Sequence, residues 1–313
     1  MLKQLTLLTF ILTLGACAAE VEDLTTEDLG EMDLAEDGKD DSTAKSFKLA
    51  AGKTTKLAFK ATSTPVVLTI NCGPPSDPDA IGPVFALDAP TLGAWAAKST
   101  ERAGYFRWAG KLAAGTHAVN VLGRMGSATC KVSLTKQAAS QKCLSRAEWR
   151  SSNTNHEHIR VGEDASFDWE EFPASGSHWG AWPMWNRIYE KPVKTGFLLH
   201  GLEHGGLAVS SKSETKAELD AVTALVTSFQ KATPDATRLF VTPDPKQPAA
   251  YAIRGWRWAY VADCVDEKSA LSFMTAHFRH GREDIDADPP IPFDPTTTTV
   301  PCENLMAAPD SCN

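Results

Sequence analysis

The segment Phe197–Val209 combines an apolar, glycine-rich composition with three polar side chains, those of His200, Glu203 and His204. Such a composition is typical of a buried element. A buried imidazole or carboxylate is destabilising unless another group pairs with it. The fold must therefore bring partners to these three side chains. The polar segment Ser175–Trp179, which contains a further histidine, is a nearby candidate.

The N-terminus has the pattern of an export signal. A positively charged start precedes an apolar run over residues 5–14, which is too short to span a bilayer. The sequence Leu14-Gly-Ala-Cys17 resembles the bacterial lipobox, in which cleavage precedes a cysteine that receives lipid. We predict residues 1–16 as a signal peptide and Cys17 as the lipid anchor. The protein would then be held in the cell envelope membrane, on the periplasmic face or the cell surface. An ordinary secretory signal is the alternative.

Residues 17–46 form an acidic segment. From Ala18 to Ser46 there are eleven acidic and two basic residues, a net charge of −9, against −8 for the whole chain. A charged segment without aromatic residues buries too little apolar surface to fold, which predicts a disordered tether. A calcium- or partner-binding tail is the alternative. The nearly neutral remainder has no basic patch or stacking motif, which argues against a nucleic-acid partner.

Six cysteines remain after Cys17. An even number in an exported chain predicts disulfides, and their spacing does not fit a zinc ribbon. Cys72 and Cys130 are predicted to pair within the N-terminal domain. Three pairings remain open for the other four: Cys143, Cys264, Cys302 and Cys312.

Residues 47–137 predict an all-β antiparallel sandwich. Short segments alternate apolar and polar residues between turn residues, and only 91–100 suggests a helix. The clearest strands are Phe47–Leu49, Thr54–Lys60, Val66–Cys72 and Ser127–Leu134, with a turn leading into a strand over Leu112–Val121. The turn-strand pattern resembles that of pre-peptidase C-terminal sandwich modules. We assign this domain no chemistry.

Residues 143–288 predict an α+β domain with a mixed sheet. Ser211–Glu214 has the spacing of a capping box and would begin a helix ending near Lys231. A second helix is predicted over Asp266–His280. Strands are predicted over Gly196–Leu199, Leu207–Ser210, Arg238–Thr242 and Arg254–Ala262. Residues 289–313 form a Pro/Thr-rich tail held by a disulfide.

Three segments of this domain resemble an uncharacterised bacterial family: Ser175–Trp179, Tyr189–Pro192 and His200–Gly206. Members of that family share SGPH, Y-x-x-P and H-A-LEHGG segments, and the likeness extends over residues 156–283. The chain departs from the pattern at Ser177, where proline is usual, and at Gly201, where alanine is usual. Because the family has no known function, the resemblance implies important residues but no reaction.

The histidines predict a site for a divalent metal ion, copper or zinc. His178, His200 and His204 are the main candidates, with help from His156 and His158. Imidazole suits both metals, and a free thiol is not expected in an oxidising compartment. Side chains four residues apart lie about 6 Å apart on a helical turn, whereas the corresponding separation along a strand is about 13 Å. The neighbouring glycines argue against a long helix, so a shared ion requires a short turn or kink.

Glu203 opens two other hypotheses. As a metal ligand or as an orienting carboxylate it would support binding, and as a general base it would make the domain a metal-assisted hydrolase or oxidoreductase. His200-x-x-Glu203-His204 also spells the inverted zinc-protease motif, which requires a helix. The remaining alternative is a non-catalytic envelope interaction protein with structural histidines. Arg254 and Arg257, beside tryptophans, are weaker candidates for binding an anion.

Overall fold

The computed structural model describes residues 25–28, 44–61, 63, 65–72, 84–87, 100–123, 128–137, 143, 146–151, 153–165 and 172–305. The predicted signal peptide, Cys17 and Cys312 lie outside the described residues, as does the helix predicted around 91–100 except for its last residue. Within the described part, no helix is long and apolar enough to span a bilayer.

The N-terminal region is a sandwich of two sheet layers. Its strands are β1 (Thr25–Asp28), β2 (Lys45–Leu49), β3 (Thr54–Ala61), β4 (Pro65–Asn71), β5 (Val84–Leu87), β6 (Thr100–Lys111), β7 (Gly115–Leu122) and β8 (Ala128–Lys136). One layer has the order β1-β3-β7-β5-β6, and β4 joins β8 to β6 in the other. Val66, Leu68 and Ile70 of β4 alternate into the core between the layers. The predicted sandwich is confirmed.

Strand β1 lies within the segment predicted to be a disordered tether. Its four residues pair in parallel with β3, with Thr25 opposite Thr55. An edge strand presents unpaired N–H and C=O groups to any extended segment that approaches it. Pairing with the edge of β3 therefore explains why these four residues form a strand, although the acidic composition predicts disorder.

Strand β9 (Arg146–Ser151) joins the two predicted domains into one sheet. It pairs antiparallel with β6 of the sandwich and, on its other side, with β16 (Trp258–Ala262). The hydrogen-bonded sheet thus continues across the predicted boundary at 137–143. Trp149 and Ala147 of β9 extend the sandwich core towards the C-terminal region.

The C-terminal region is an α+β arrangement on a mixed sheet, as predicted. Its remaining elements are β10 (His158–Ile159), β11 (His178–Trp179), β12 (Arg187–Ile188), α1 (Thr195–Glu203), β13 (Leu207–Ser211), α2 (Lys216–Ala232), β14 (Leu239–Pro243), β15 (Tyr251–Gly255), α3 (Glu267–His277) and a 3-10 helix at Cys302–Asn304. β14 pairs in parallel with β12 and β13, whereas β15 is antiparallel to β13 and β16.

Helices cover both faces of this sheet. Leu207 and Val209 of β13 pack in the cluster that contains α2 and α3, and the intervening Ala208 packs in the cluster that contains α1. Successive strand residues point to opposite faces, so each strand contributes to two cores. The face beneath α1 carries the histidines.

Three local predictions in this region were wrong. Ser211 belongs to β13, and α2 begins after Thr215, whose hydroxyl donates to Glu218 at 3.3 Å. The predicted strand 196–199 is part of α1. The predicted strand 254–262 is a hairpin, because the chain reverses after Gly255 and Arg257 adopts a φ of 65°.

The disulfides fit export to an oxidising compartment. Cys72 pairs with Cys130 as predicted, and Cys143 pairs with Cys264, across a sequence separation of 121. Cys302 is also disulfide-bonded. Disulfides persist in extracytoplasmic compartments, where thiols are not kept reduced.

Helix α3 contains a histidine that is expected to make stability depend on pH. His277 stacks on Trp258 at 4.3 Å between ring centroids, and burial, aided by His280, lowers its pKa from 6.5 to about 4. Below pH 6.5 the unfolded chain takes up a proton that the folded chain rejects. We therefore expect a contribution of about 3 kcal/mol that is complete above pH 6.5 and lost as the pH falls towards 4.

The measurement is the free energy of urea unfolding at pH 7 and pH 4.5. His277→Gln should show a smaller loss than the parent protein over this interval, whereas His117→Gln, on β7, should leave the loss unchanged. Equal pH dependence in all three proteins would contradict the assignment to His277.

Candidate metal centre

The short parallel ladder of β10 and β11 brings two histidines side by side. His158 lies directly opposite His178 in the register, and their ring centroids are 4.8 Å apart. The ladder joins residues 20 positions apart in the chain, so sequence spacing alone does not predict the contact. His178 is fully buried, whereas the His158 side chain is 20% exposed.

Helix α1 and its C-cap residue supply three more polar side chains. His200 and Glu203 are three residues apart and His204 follows, a spacing that places all three on one helical face. The helix forms despite its glycines because neighbouring side chains occupy the space that a Cβ would need. A Cβ at Gly196 would overlap the Trp179 ring, and one at Gly201 would lie 3.2 Å from Phe240.

A glycine pair ends α1 directly after His204. The Gly205 N–H donates to Leu202 O at 2.9 Å, and the Gly206 N–H donates to Gly201 O at 3.0 Å. This is the Schellman arrangement, which needs a left-handed residue, and Gly205 has a φ of +82°. The glycines therefore stop the helix and begin β13, rather than preventing the helix.

Four side chains converge to form what we term the primary cluster: His158, His178, His200 and Glu203. One ligand atom from each lies within 4.8 Å of all the others. Glu203 Oε2 is 2.9 Å from His178 Nε2 and 3.8 Å from His158 Nε2. His200 and Glu203 are almost completely buried, so the cluster lies beneath the surface.

Backbone carbonyls orient two of the imidazoles. The Nδ1–H of His178 donates to Gly176 O at 2.9 Å, and that of His200 donates to Trp179 O at 2.7 Å. In a neutral imidazole this arrangement leaves a lone pair on Nε2, and it is the arrangement that typically supports histidine ligands of metals.

The contact between His178 and Glu203 joins two atoms that both act as acceptors. His178 Nε2 and Glu203 Oε2 approach to 2.9 Å, yet Nε2 has no hydrogen-bond partner among the described residues. Two acceptor atoms this close are stabilised only by a proton or a cation between them. His158 Nε2 and Glu203 Oε1 are likewise buried without a hydrogen-bond partner in the described part of the chain.

The electrostatics of the cluster favour an ionised carboxylate at Glu203. Burial acts to raise the pKa of Glu203, but His158 and His178 outweigh it and hold this pKa below its usual range. Burial, reinforced by His178 and the other imidazoles, lowers the pKa of His200 well below 6.5. At neutral pH the site therefore combines an ionised carboxylate with a neutral imidazole, the forms in which these residues bind metals.

His204 adjoins the primary cluster and belongs to a second group with Glu203 and Glu283, whose ligand atoms also lie within 4.8 Å of one another. Its Nε2 is 3.1 Å from His200 Nε2 and 3.4 Å from Glu283 Oε2. Burial lowers the pKa of His204 to about 4, although Glu203 opposes the shift. His200 and His204 thus approach each other because the segment is helical, but they belong to different groups of candidate ligands.

His156 is the one predicted ligand that the structure leaves outside both groups. It is exposed, and its Nδ1 donates to Thr154 O at 3.2 Å. It lines a neighbouring cleft of about 440 Å³ together with Arg282, whose Nη1 lies 3.7 Å from Glu203 Oε1.

The sequence interpretation missed Arg282 and Glu283. Both lie in a charged run after α3 that resembles an ordinary exposed surface, and only the fold carries them to α1. The weaker anion candidate Arg254 is paired with Asp244 at 2.8 Å, and Arg257 donates to Ser151 O at 3.2 Å. The side chains of these two arginines are therefore engaged in contacts within the protein.

Comparison with known proteins places this site in a recognised family region. Residues 158–288 match the family model described as a protein of unknown function (DUF3105), which confirms the resemblance to an uncharacterised family. The match includes the whole primary cluster and begins just after His156. No curated protein matches the chain.

Several solved structures align with the chain, including the following two. One is the pre-peptidase C-terminal domain of a collagenase from Bacillus anthracis, with 14% identity and a TM-score of 0.25, over 36% of this chain and 96% of that one. The other is PliG from Aeromonas hydrophila, a periplasmic inhibitor of g-type lysozyme, with 17% identity and a TM-score of 0.24, over 36% and 97%.

Proposed function

We propose that the C-terminal region binds a divalent transition-metal ion, copper or zinc, in the primary cluster, within an exported lipoprotein anchored through Cys17. The supporting observation is the convergence of four ligand atoms within 4.8 Å in a buried space. Three imidazoles and one carboxylate are donors that suit these metals. The identity of the metal rests on this donor chemistry.

The size of the cluster supports the proposal. Zinc binds histidine and carboxylate ligands at about 2.0–2.2 Å in tetrahedral sites. Four atoms no more than 4.8 Å apart need to move inwards by less than about 1 Å each to reach such distances. With neutral imidazoles the cluster carries the single negative charge of Glu203, which a divalent cation would offset.

A pair of neighbouring histidines provides the test. Zn²⁺ and Cu²⁺ are titrated into chelator-treated full-length protein against a competing indicator. His158→Gln removes a ligand at the most exposed side of the cluster and should weaken binding by more than about 10-fold. His156→Gln, two residues earlier and outside the cluster, should change affinity by less than about 2-fold. Equal affinities in both variants, or no stoichiometric binding to the parent protein, would contradict the proposal.

The helical conformation of α1 favours a second candidate, a metal-assisted hydrolase. Because His200, Glu203 and His204 lie on one helical face, they have the geometry that the inverted zinc-protease motif requires. In that case Glu203→Gln would retain metal and lose ester or peptide hydrolysis. In a binding site with Glu203 as a ligand, the same substitution would weaken metal binding itself.

Anchoring through Cys17 rests on the lipobox-like sequence and has a separate test. Cell fractionation of the full chain should recover the parent protein with membranes and Cys17→Ser in the soluble fraction. Mass spectrometry of the mature N-terminus should show an acylated cysteine in the parent protein. A membrane-bound Cys17→Ser variant would contradict lipid anchoring.

A further inference from the structure

A second cleft lies on the face of the sheet that α3 covers, away from the metal centre. It has a volume of about 410 Å³ and lies where β6 and β9 meet β16 beneath α3. None of its lining residues belongs to the primary cluster or the second group. A volume of this size falls in the range typical of small-molecule sites.

The cleft contains a buried arginine with unused donors. Arg146 is 3% exposed, and neither Nη1 nor Nη2 has a hydrogen-bond partner among the described residues. Its nearest carboxylate oxygen, Asp266 Oδ2, is 3.6 Å away and also lacks a hydrogen-bond partner there. A guanidinium left in this state is destabilising, and a ligand that accepts from both nitrogens would relieve the cost.

A second guanidinium strengthens the positive potential. Arg107 lines the same cleft 3.5 Å from Glu148, and the hydroxyl of Tyr105 donates to the same Glu148 oxygen at 2.9 Å. Glu148 is therefore already engaged, so among the described carboxylates Arg146 has only the longer ion pair with Asp266, at 3.6 Å. Lys268 adds a further positive charge to the lining.

Aromatic rings form the wall beside these charges. Trp258 lies 5.5 Å from Tyr105 and stacks with His277 at 4.3 Å between ring centroids. Aromatic faces of this kind bind flat rings and the apolar faces of sugars. The lining thus combines an anion-binding end with a ring-binding wall.

We propose that this cleft binds a small molecule that carries a carboxylate on a six-membered ring. The carboxylate pairs with the Nη atoms of Arg146, because the planar guanidinium matches a carboxylate in shape. The ring lies against Trp258. An aromatic acid and a uronic acid share this chemistry, and binding measurements distinguish them.

The test uses calorimetric titration of the full, disulfide-intact chain in chelator, so that metal binding does not contribute. The probes are benzoate, glucuronate, their uncharged methyl esters and inorganic phosphate. We expect one ring acid to bind at least about 10-fold more tightly than its ester and than phosphate. The tighter ring acid identifies the ligand class. Equal binding of phosphate and the ring acids, or no binding of either acid, would overturn the proposal.

Variants assign the binding to this cleft. Arg146→Gln removes the charge, and Ser272→Phe fills the cleft from an exposed position on α3 while leaving Arg146 in place. Both should weaken binding by at least about 10-fold. The controls Ser272→Ala, which keeps the cleft open, and Arg187→Gln, which removes an exposed charge on β12, should not. Should Arg146→Gln fail to fold, Ser272→Phe decides the matter, because unchanged affinity in that variant would refute the proposed location.

Discussion

Saturating Zn²⁺ or Cu²⁺ is expected to raise the melting temperature of the chelator-treated protein by roughly 10 °C, and Glu203→Gln is expected to remove most of that rise. A ligand at about 1,000 times its dissociation constant stabilises the folded state by about 4 kcal/mol. In a protein of this size each kcal/mol corresponds to roughly 2–4 °C. Calorimetry with and without metal measures the effect.

The Glu203→Gln substitution separates metal binding from folding. Glutamine keeps the volume of the side chain but lacks the negative charge that a cation requires. Without metal, its amide N–H can donate to the lone pair of His178 Nε2, 2.9 Å from the present carboxylate oxygen. The metal-free variant should therefore be at least as stable as the parent protein, while its response to metal is lost.

Glu283→Gln is the matched control. Glu283 also faces a histidine of α1, at 3.4 Å from His204 Nε2, but lies outside the primary cluster. The Glu283→Gln variant should preserve the metal-induced rise in melting temperature. A full rise in Glu203→Gln would show that the primary cluster is not the metal site, and a loss in both variants would place the ion between the two groups.

Gly196→Ala is expected to destabilise the protein by about 3 kcal/mol or more. Helix propensity alone predicts the opposite sign, because alanine is favoured over glycine by about 1 kcal/mol inside a helix. Packing reverses the sign of the stability change, since the new Cβ would overlap the Trp179 ring. Because Trp179 O accepts from His200 Nδ1, metal affinity should fall as well.

Urea unfolding of metal-free protein measures the first effect, with Gly162→Ala as its control. Gly162 has a φ of +85° but open space around its Cβ position, so that substitution should cost only about 1 kcal/mol. Comparable losses in the two variants would mean that the contact between α1 and Trp179 does not limit the size of residue 196.

Much of the sandwich could be predicted from the sequence, but the strands that join the two regions could not. Alternation in β2 and β8 is visible because each has one buried face. Strand β9 carries Arg146, Glu148 and Arg150 at alternate positions and resembles an exposed strand. Its charges lie instead in or beside clefts, and Arg146 is buried.

The candidate site shows the same division. Residue types identified the histidines and Glu203, because few other side chains bind copper or zinc in an oxidising compartment. His156 and His158 could not be separated by type or by position. The pairing of β10 with β11 separates them, since it sets His158 opposite His178 and leaves His156 outside the ladder.

The sequence by itself determined that the segment 197–209 is buried and that its polar side chains need partners, because burial of such groups without partners is destabilising. Only the tertiary structure decided that the segment begins as a helix. Its glycines predict a weak helix when considered alone, yet Trp179 packs against Gly196, and Phe240 against Gly201, so closely that a Cβ would clash or crowd there. Close packing of neighbouring elements outweighed local propensity, and it thereby placed His200, Glu203 and His204 on one face.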